Sequence, residues 1–197
     1  MSAREHPAVI VLAGPNGAGK STSAPELLKG TLAVTEFVNP DLIAQGLSAF
    51  APDQTALAAG RIMLRRLREL AGQRATFAFE TTLASRSFAP WLAKLRTSGY
   101  RIHIIFLWLP SADLAVERVA GRVRLGGHNV PEAHIRRRYT AGLRNFFELY
   151  KPISTTWRVY DNSAASRPHL IARGKGSQII KTVDHLKWNR IARKYTP

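Results

Sequence analysis

The sequence predicts an α/β fold in which helices flank a mainly parallel central sheet. Apolar runs of strand length alternate with segments of helical periodicity along the chain. The first run, Ala8 to Ala13, is continuously apolar, which is typical of a strand covered on both faces. No internal repeat or low-complexity linker interrupts this alternation, and 197 residues are enough to bury one core. We therefore predict a single domain over residues 1–197.

The individual elements follow from apolar periodicity and from the residues that break it. The first helix, expected from about Lys20, contains Pro25, which predicts a distorted turn because proline removes a backbone donor. Other predicted elements are helices over Pro52–Leu70 (with Gly72 as the C-cap), Phe88–Ser98, Asp113–Val123 and Ile135–Leu149, strands over Thr35–Val38, Ala75–Phe79, Tyr100–Leu109 and Arg158–Tyr160, and a basic hairpin and tail over residues 164–197.

Composition excludes several classes of protein. The chain contains no cysteine, which rules out disulfides and thiolate metal sites. No apolar run approaches the roughly 18 residues that a membrane span needs. The amino terminus runs directly into the first strand without an export signal pattern. We therefore expect a cytoplasmic protein with no membrane partner.

The charge balance predicts an anionic partner. Lys and Arg number 29 against 13 Asp and Glu, which gives a formal net charge of +16. Such an excess attracts polyanions at low salt. A phosphate-rich ligand with a nucleotide-like small-molecule substrate, a nucleic acid and an acidic protein all remain compatible with this charge.

A phosphate-binding loop is the strongest motif. Gly14 to Ser21 matches G-x-x-x-x-G-K-[ST] at every fixed position, between a predicted strand and a predicted helix. Glycines allow positive φ and bring backbone N–H groups close to phosphate oxygens, while the following helix directs its N-terminus at the same anion. Lys20 is expected to reach the β- and γ-phosphates of ATP, and Ser21 to bind Mg²⁺. The predicted nucleotide-binding residues are Gly14, Pro15, Asn16, Gly17, Ala18, Gly19, Lys20, Ser21 and Thr22.

Two acidic residues follow strands whose carboxyl ends should face the ligand crevice. Asp41 comes just after the second strand and is expected either to accept a proton from an attacking hydroxyl or to N-cap the next helix. Glu80 ends an apolar strand and is followed by Thr81 and Thr82. Glu80 is a candidate for binding Mg²⁺ or substrate, and Thr81 and Thr82 are candidates for binding substrate. A helix-start cap is the alternative.

An arginine-rich segment over residues 118–138 is predicted to form a helical lid. Arg118, Arg122 and Arg124 precede Gly126 and Gly127, which supply a hinge, and three further arginines occupy positions 136–138. Phosphoryl transfer needs cations to neutralise the oxygens of the transferred group. We favour Arg122, Arg124 and Arg138 for this role. His128 has no companion at metal-ligand spacing, so a phosphate or backbone hydrogen bond is expected of it.

Together these motifs resemble the zeta-toxin family of P-loop kinases. The matching stretches share order and spacing with that family and are GPNGAGKST from Gly14, NPD from Asn39, FETT from Phe79, RVRLGGHNVPE from Arg122 leading into RRRY, and YDNS from Tyr160. The resemblance covers Val9 to Ser163, and the GGH-x-V-P-E segment combined with ETT is its most specific part.

The resemblance implies a P-loop NTPase fold and an ATP- and Mg²⁺-dependent kinase of UDP-activated sugars, with UDP-N-acetylglucosamine as the best-known acceptor. It favours Asp41 as the general base and Glu80 and Thr82 as acceptor contacts. It also implies a possible antitoxin protein that blocks the ATP site. The chain is shorter than the larger toxins and its lid differs, so the arginine roles do not transfer one for one. A polynucleotide kinase and a nucleotide-dependent binding module remain the alternatives.

Overall fold

The computed structural model describes residues 6–48, 52–127, 129–164 and 167–195, and it confirms the α/β fold class. Helices flank a seven-stranded sheet with the order β2-β3-β1-β4-β5-β6-β7. The strands are β1 (Ala8–Ala13), β2 (Glu36–Val38), β3 (Phe77–Thr81), β4 (Arg101–Trp108), β5 (Thr156–Asp161), β6 (His169–Lys175) and β7 (Gln178–Thr182). The first five strands pair in parallel, whereas β6 and β7 are antiparallel to their neighbours.

Eight α-helices occur in the described residues. They are α1 (Lys20–Ala24), α2 (Pro40–Leu47), α3 (Ala56–Gly72), α4 (Phe88–Thr97), α5 (Ala112–Arg124), α6 (Glu132–Asn145), α7 (Lys151–Ile153) and α8 (His185–Tyr195). A 3₁₀ turn over Pro52–Thr55 precedes α3. Within the described ranges, no helix has both the length and the apolar content that crossing a bilayer requires.

Two helices depart from regular α geometry. The chain continues from α1 into a π-helical segment over Pro25–Thr31, which is the distortion predicted from Pro25. Helix α6 ends at Asn145, earlier than the predicted Leu149, and the chain continues as a π-helical turn over Phe146–Tyr150. The wider turn there places Phe146 and Tyr150 in the core, where both side chains are fully buried.

Helix α3 ends two residues later than the predicted Leu70, and its C-cap lies one residue later than the predicted Gly72. Gly72 is the last helical residue, Gln73 is the C-cap, and Arg74 adopts the left-handed conformation with φ of 54°. Its guanidinium donates to the carbonyl oxygen of Ser98 at 3.1 Å and lies 5.7 Å from the centre of the Tyr100 ring. These contacts offset the strain that a residue with a Cβ carries at positive φ.

The core lies along the parallel strands and continues under the C-terminal helix. Val9 to Ala13 are buried, because strands on both sides and helices on both faces cover β1. Trp157 of β5 and Trp188 of α8 stack with ring centroids 5.4 Å apart, and Phe146 meets Trp157 edge-on. The stacked indoles pack α8 against the sheet.

Two buried tyrosines hold the α6 region to neighbouring loops. The Tyr139 hydroxyl donates to the carbonyl oxygen of Leu109 at 2.8 Å, and the Tyr150 hydroxyl donates to that of Ser85. Burial raises the pKa of each phenol to about 12, because the charged form would lose its hydration.

The parallel direction of β1 to β5 determines at which end of the sheet the polar residues are gathered. Their carboxyl ends meet at one edge of the sheet, where the chain enters Gly14 after β1, Asn39 after β2 and Asn162 after β5. Glu80 lies near the end of β3 at the same edge. Polar residues that are far apart in sequence are thereby collected at this edge.

The close packing at Gly174 gives a stability prediction. A Cβ added there would collide with the carbonyl oxygen of Gln178 and with the Trp157 ring, so Gly174→Ala should lower the free energy of unfolding by about 1–3 kcal/mol. The matched control is Gly60→Ala in α3, where an added Cβ meets nothing within 4 Å. The Gly60→Ala control should raise the free energy of unfolding by about 1 kcal/mol, since alanine favours the helix. Equal unfolding midpoints in urea for both variants would contradict the packing.

The raised tyrosine pKa values predict loss of stability in alkali. Tyr139 and Tyr150 have a pKa of about 12 in the folded chain against 10.0 for a free phenol. The unfolded state therefore loses protons first, and the stability that these groups contribute below pH 10 decreases as the pH rises towards 12. Urea unfolding at several pH values should show this decrease, and the double variant Tyr139→Phe, Tyr150→Phe should show a shallower one. An unchanged slope in that variant would show that other groups are responsible.

Candidate active site

The loop from Gly14 to Ser21 joins β1 to α1 and curls at the carboxyl edge of the sheet. Gly14 has φ of 145°, and a Cβ there would collide with the carbonyl oxygen of Leu107 on β4. Gly19 has φ of 75°, and a Cβ there would lie 2.7 Å from the side-chain nitrogen of Asn162. Both positions therefore require glycine, which allows the loop to curl tightly against β4 and Asn162.

Lys20 is buried inside this loop. Its ammonium donates to the carbonyl oxygens of Gly14 and Pro15, each at 2.9 Å, and lies 3.6 Å from the Glu80 carboxylate. Burial lowers the pKa of Lys20, and the negative charges of Glu80 and Asp41 oppose that shift. An anion in the loop would give the ammonium a compensating charge where it now has only two carbonyl dipoles and one carboxylate.

Glu80, Ser21 and Asn39 form a buried polar network next to Lys20. The Ser21 hydroxyl donates to Glu80 Oε2 at 2.8 Å, and the Asn39 side-chain amide donates to the same oxygen at 2.9 Å. Glu80 is 7% exposed, so these donors replace the water that its charge would otherwise need. Glu80 lies within β3 and accepts bonds from side chains, so the alternative that it caps a helix is wrong.

Asn39 also determines how α2 begins. Its side-chain oxygen accepts from the backbone N–H groups of Asp41 and Leu42, which makes it the N-cap, with Pro40 as the first helical residue. The alternative that Asp41 caps this helix is therefore wrong. The Asp41 carboxylate is left to face the cleft from the first turn of α2, where the helix N-terminus favours a negative charge.

The oxygen atoms of Ser21 and Glu80 suit a magnesium ion. Mg²⁺ is usually held by one or two protein oxygens together with substrate phosphates and waters. Here a hydroxyl and a carboxylate lie side by side at the end of the phosphate loop. In the described part of the chain, no group of three or more His, Asp or Glu side chains could hold a metal by itself. The site therefore fits an ion that arrives with a nucleotide.

Thr81 and Thr82 line the same cleft beyond Glu80. Their hydroxyl oxygens accept from the backbone N–H groups of Leu83 and Ala84 at 3.1 and 3.4 Å. These bonds shape the turn after β3, in which Leu83 is buried at φ of 57°. The two threonines therefore stabilise a turn rather than the start of α4, and each hydroxyl keeps its proton for a ligand.

The lid arginines separate into two groups. Arg118, Arg122, Arg137 and Arg138 line the cleft, whereas Arg124 is exposed and lies outside its lining. The geometry therefore does not bring Arg124 to the predicted site, because it falls on another side of α5 from Arg118 and Arg122. His128 lies outside the described residues.

Arg138 faces Asp41 across the cleft. Burial lowers the pKa of Arg138, the charge of Arg137 lowers it further, and the carboxylate of Asp41 raises it. An acid from α2 and a cation from α6 therefore line the same cleft and interact electrostatically. Arg136 turns away and pairs with Glu132 and Asp113 at the surface, at 2.7 and 2.6 Å.

Asn162 and Arg118 stabilise the phosphate loop, although neither is among the site residues predicted from the sequence. The Asn162 side-chain amide donates to the carbonyl oxygen of Ala18 at 2.7 Å. Arg118 donates to the carbonyl oxygens of Asn162 and Ser163 at 2.7 and 2.6 Å. Asn39 was also missed, although asparagine before proline and aspartate is a recognisable N-cap signal. Asn162 lies in the YDNS stretch of the family resemblance, but no local pattern indicates that it reaches the phosphate loop, because it follows β5 on the far side of β4.

These residues surround one cleft of about 870 Å³. The phosphate loop, Asp41, arginines of α5 and α6, and Thr81 and Thr82 all line it. The apolar part of its wall consists of Ala44, Ala59, Met63, Ala84, Phe88 and Ala141. The cleft therefore extends beyond the phosphate loop into a space that combines apolar and cationic groups.

The network around Asn39 gives a stability prediction. Asn39→Ala removes an N-cap and also a donor to the buried Glu80, so it should lower the free energy of unfolding by about 2–4 kcal/mol. Ser111 caps α5 by accepting from Leu114 and contacts no buried charge, so Ser111→Ala should cost only about 1 kcal/mol. Urea unfolding of the two variants measures the difference. Equal losses would show that the bond to Glu80 adds nothing.

Comparison with solved structures supports the fold. A chain of the AvrRxo1-ORF1:-ORF2 complex superposes with a TM-score of 0.75 and 15% identity, covering 94% of this chain and 63% of that chain. This chain thus spans less than two thirds of that protein. A chain of the PezAT chromosomal toxin–antitoxin system of Streptococcus pneumoniae superposes with a TM-score of 0.58 and 17% identity, covering 81% of this chain and 70% of that chain.

Sequence comparison supplies the family. An uncharacterised protein of Haemophilus influenzae is 26% identical over 130 residues, which cover 66% of this chain and 91% of that protein. The family model described as an AAA domain matches residues 9–142, more than half of the chain, from β1 into α6. The chain therefore belongs to this AAA domain family and has a P-loop, kinase-like fold.

Proposed function

We propose that this protein is an ATP- and Mg²⁺-dependent kinase that transfers the γ-phosphoryl group to a sugar hydroxyl of a nucleotide-sugar such as UDP-N-acetylglucosamine. The observation that carries the proposal is the placement of Asp41 in the same cleft as Lys20 and Ser21. A phosphate cradle alone would suit any nucleotide-binding protein. An acid facing it across open space suits transfer to a second molecule.

The phosphate loop would bind the ATP phosphates through its backbone N–H groups and Lys20. The ammonium of Lys20 already donates to two loop carbonyl oxygens, and a phosphate oxygen would become its charged partner. Ser21 and Glu80 would hold Mg²⁺ directly or through its water. When bound, the ion neutralises phosphate charge and fixes the geometry of the two terminal phosphates.

Asp41 would act as the general base. Its carboxylate accepts the proton of the acceptor hydroxyl while that oxygen bonds to the γ-phosphorus. The bond from the γ-phosphorus to the β–γ bridging oxygen breaks, and its electron pair leaves with ADP. The N-cap bonds of Asn39 hold the first turn of α2, and with it the backbone of Asp41, in a fixed position.

Arg122 and Arg138 would neutralise the charge that spreads over the oxygens of the transferred group. Both line the cleft, and Arg138 faces Asp41. The exposed Arg124 has no part in this proposal, although the sequence analysis favoured it. Gly126 and Gly127 follow α5, the helix that carries Arg118 and Arg122. Gly126 has φ of 81°, which suits a hinge for the proposed lid.

The acceptor would lie between Asp41, Thr81 and Thr82. The threonine hydroxyls can donate to ligand oxygens, while Met63 and Phe88 supply apolar surface. A nucleotide-sugar matches this mixture, since it has hydroxyls, an apolar ring face and a charged diphosphate for the arginines. The zeta-toxin resemblance of the GPNGAGKST, NPD and FETT stretches favours the same class of acceptor.

We infer a protein partner of the antitoxin kind as part of this proposal. Two structural neighbours belong to two-component assemblies, the AvrRxo1-ORF1:-ORF2 complex and the PezAT toxin–antitoxin system. A partner that covered the open cleft would block ATP entry and keep the kinase inactive.

A nucleic-acid end is the second candidate acceptor, and the net charge of +16 favours it. Transfer of labelled γ-phosphate from ATP to UDP-sugars, NAD and short RNA and DNA oligomers separates the two. Label on a UDP-sugar supports the proposed function, whereas label on an oligomer end would replace it with polynucleotide phosphorylation. ATP binding with no transfer to any acceptor would reduce the protein to a nucleotide-dependent binding module.

The role of Asp41 gives a kinetic prediction. Asp41→Asn removes the proton acceptor and keeps the shape, so the rate of phosphoryl transfer should fall by about 10²–10⁴-fold. The Kd for ATP, measured by calorimetry, should change by less than about threefold, because Asp41 contacts the acceptor rather than the phosphate loop. The control is Asp113→Asn, an exposed carboxylate paired with Arg136, which should change neither quantity. Undiminished transfer in Asp41→Asn would eliminate this mechanism.

A further inference from the structure

Three cations lie side by side on the antiparallel part of the sheet, outside the candidate active site. Arg158 on β5 pairs in register with Arg173 on β6, and Arg173 pairs in register with Lys181 on β7. Directly paired residues project from the same face of a sheet. All three side chains are exposed, so together they form a basic row across three strands.

The basic row continues onto β4. His103 is paired with Thr156, two residues before Arg158, and their side chains are hydrogen bonded at 2.7 Å. Because side chains alternate along a strand, Arg101 and His103 project from the same face as Arg158. Burial lowers the pKa of His103, and the positive charges of Arg101 and Arg158 lower it further. Arg101, whose side chain is exposed, therefore extends the row of cations to a fourth strand, and His103 is its polar neighbour.

No acid balances this row within the strands that carry it. Strands β4 to β7 contain one acidic residue, Asp161, which is three positions from Arg158 and projects from the opposite face. Asp161 is buried and pairs with Lys187 of α8 at 2.9 Å. Within the described ranges, Arg158, Arg173 and Lys181 make no ion pair, and like charges directly opposite each other destabilise a sheet.

We propose that this basic row binds the sugar-phosphate backbone of a single-stranded nucleic acid. An external polyanion would relieve the repulsion that the sheet carries alone, and the net charge of +16 provides long-range attraction for it. Interfaces between proteins exclude charge from their centre, whereas interfaces with nucleic acid are rich in positive charge. Tyr160, half-buried and on the same face as Arg158, supplies an aromatic ring beside the cations. Such a combination suits single strands, whose bases are free to stack.

The surface is separate from the candidate active site. None of Arg158, Arg173 and Lys181 lines the cleft that holds Lys20 and Asp41. The proposal therefore goes beyond the proposed kinase activity and does not depend on which acceptor is phosphorylated. A variant of the row should keep phosphoryl transfer, so the two proposals can fail independently.

The test measures the binding of fluorescein-labelled, mixed-sequence 20-nucleotide RNA and DNA strands by anisotropy between 50 and 200 mM salt. In the triple variant Arg158→Gln, Arg173→Gln, Lys181→Gln, three phosphate contacts are lost. The slope of log K against log salt should become shallower by about 2, and Kd at 100 mM salt should weaken by about tenfold or more. RNA and DNA present the same phosphodiester chemistry, and the two probes report which strand the surface prefers.

The matched control removes three other exposed arginines, Arg61 and Arg68 on α3 and Arg144 on α6, by Arg→Gln substitution. Net charge falls by the same amount, so Kd should change by less than about twofold if the row is the binding surface.

Circular dichroism and thermal unfolding check that both variants are folded. Equal weakening in both triple variants, or no binding by the unsubstituted protein at 100 mM salt, would overturn the proposal.

Discussion

One buried carboxylate organises the candidate active site. Glu80 lies near the end of β3, where water is excluded, and a charge in such a position requires partners. Ser21 donates to it from the phosphate loop, Asn39 donates from the start of α2, and Lys20 lies 3.6 Å away. A single charge therefore links three segments that come from three different strand ends. Its requirement for hydrogen bonds fixes the phosphate loop relative to the helix that carries Asp41.

The same network explains why a cation is tolerated inside the loop. Burial lowers the pKa of Lys20, and the carboxylates of Glu80 and Asp41 counter that effect. The ammonium is bound to loop carbonyl oxygens that a phosphate would partly replace. The loop, the acid and the lysine therefore form one unit arranged for an anion with an accompanying cation, which is the requirement of phosphoryl transfer from a nucleotide.

The positive charge of the chain is distributed unevenly, and this distribution separates two surfaces. Arginines of α5 and α6 converge on the cleft, where they face Asp41 and Glu80. On the β4–β7 sheet face the cations lie beside one another, and the one acid of those strands turns to the other side and pairs with α8. A cleft with acids among its arginines suits catalysis on a small phosphate ligand, whereas a cationic row without acids suits a longer polyanion.

The sequence by itself determined the α/β class, the phosphate loop, the strand end that Asn39 and Asp41 follow, and the strand end at which Glu80 lies. It could do so because strand periodicity and glycine geometry are local properties of the chain. Local rules placed the π-helical distortion at Pro25 but missed the late end of α3, where contacts of Arg74 with Ser98 and Tyr100 offset the strain.

Only the tertiary structure decided that Asn39 rather than Asp41 caps α2 and that Arg124 faces away from the cleft. It alone placed Asn162 behind the phosphate loop and aligned Arg158 with Arg173 and Lys181. These outcomes depend on strand order, register and helix rotation, which arise from packing between distant segments and leave no local pattern in the sequence.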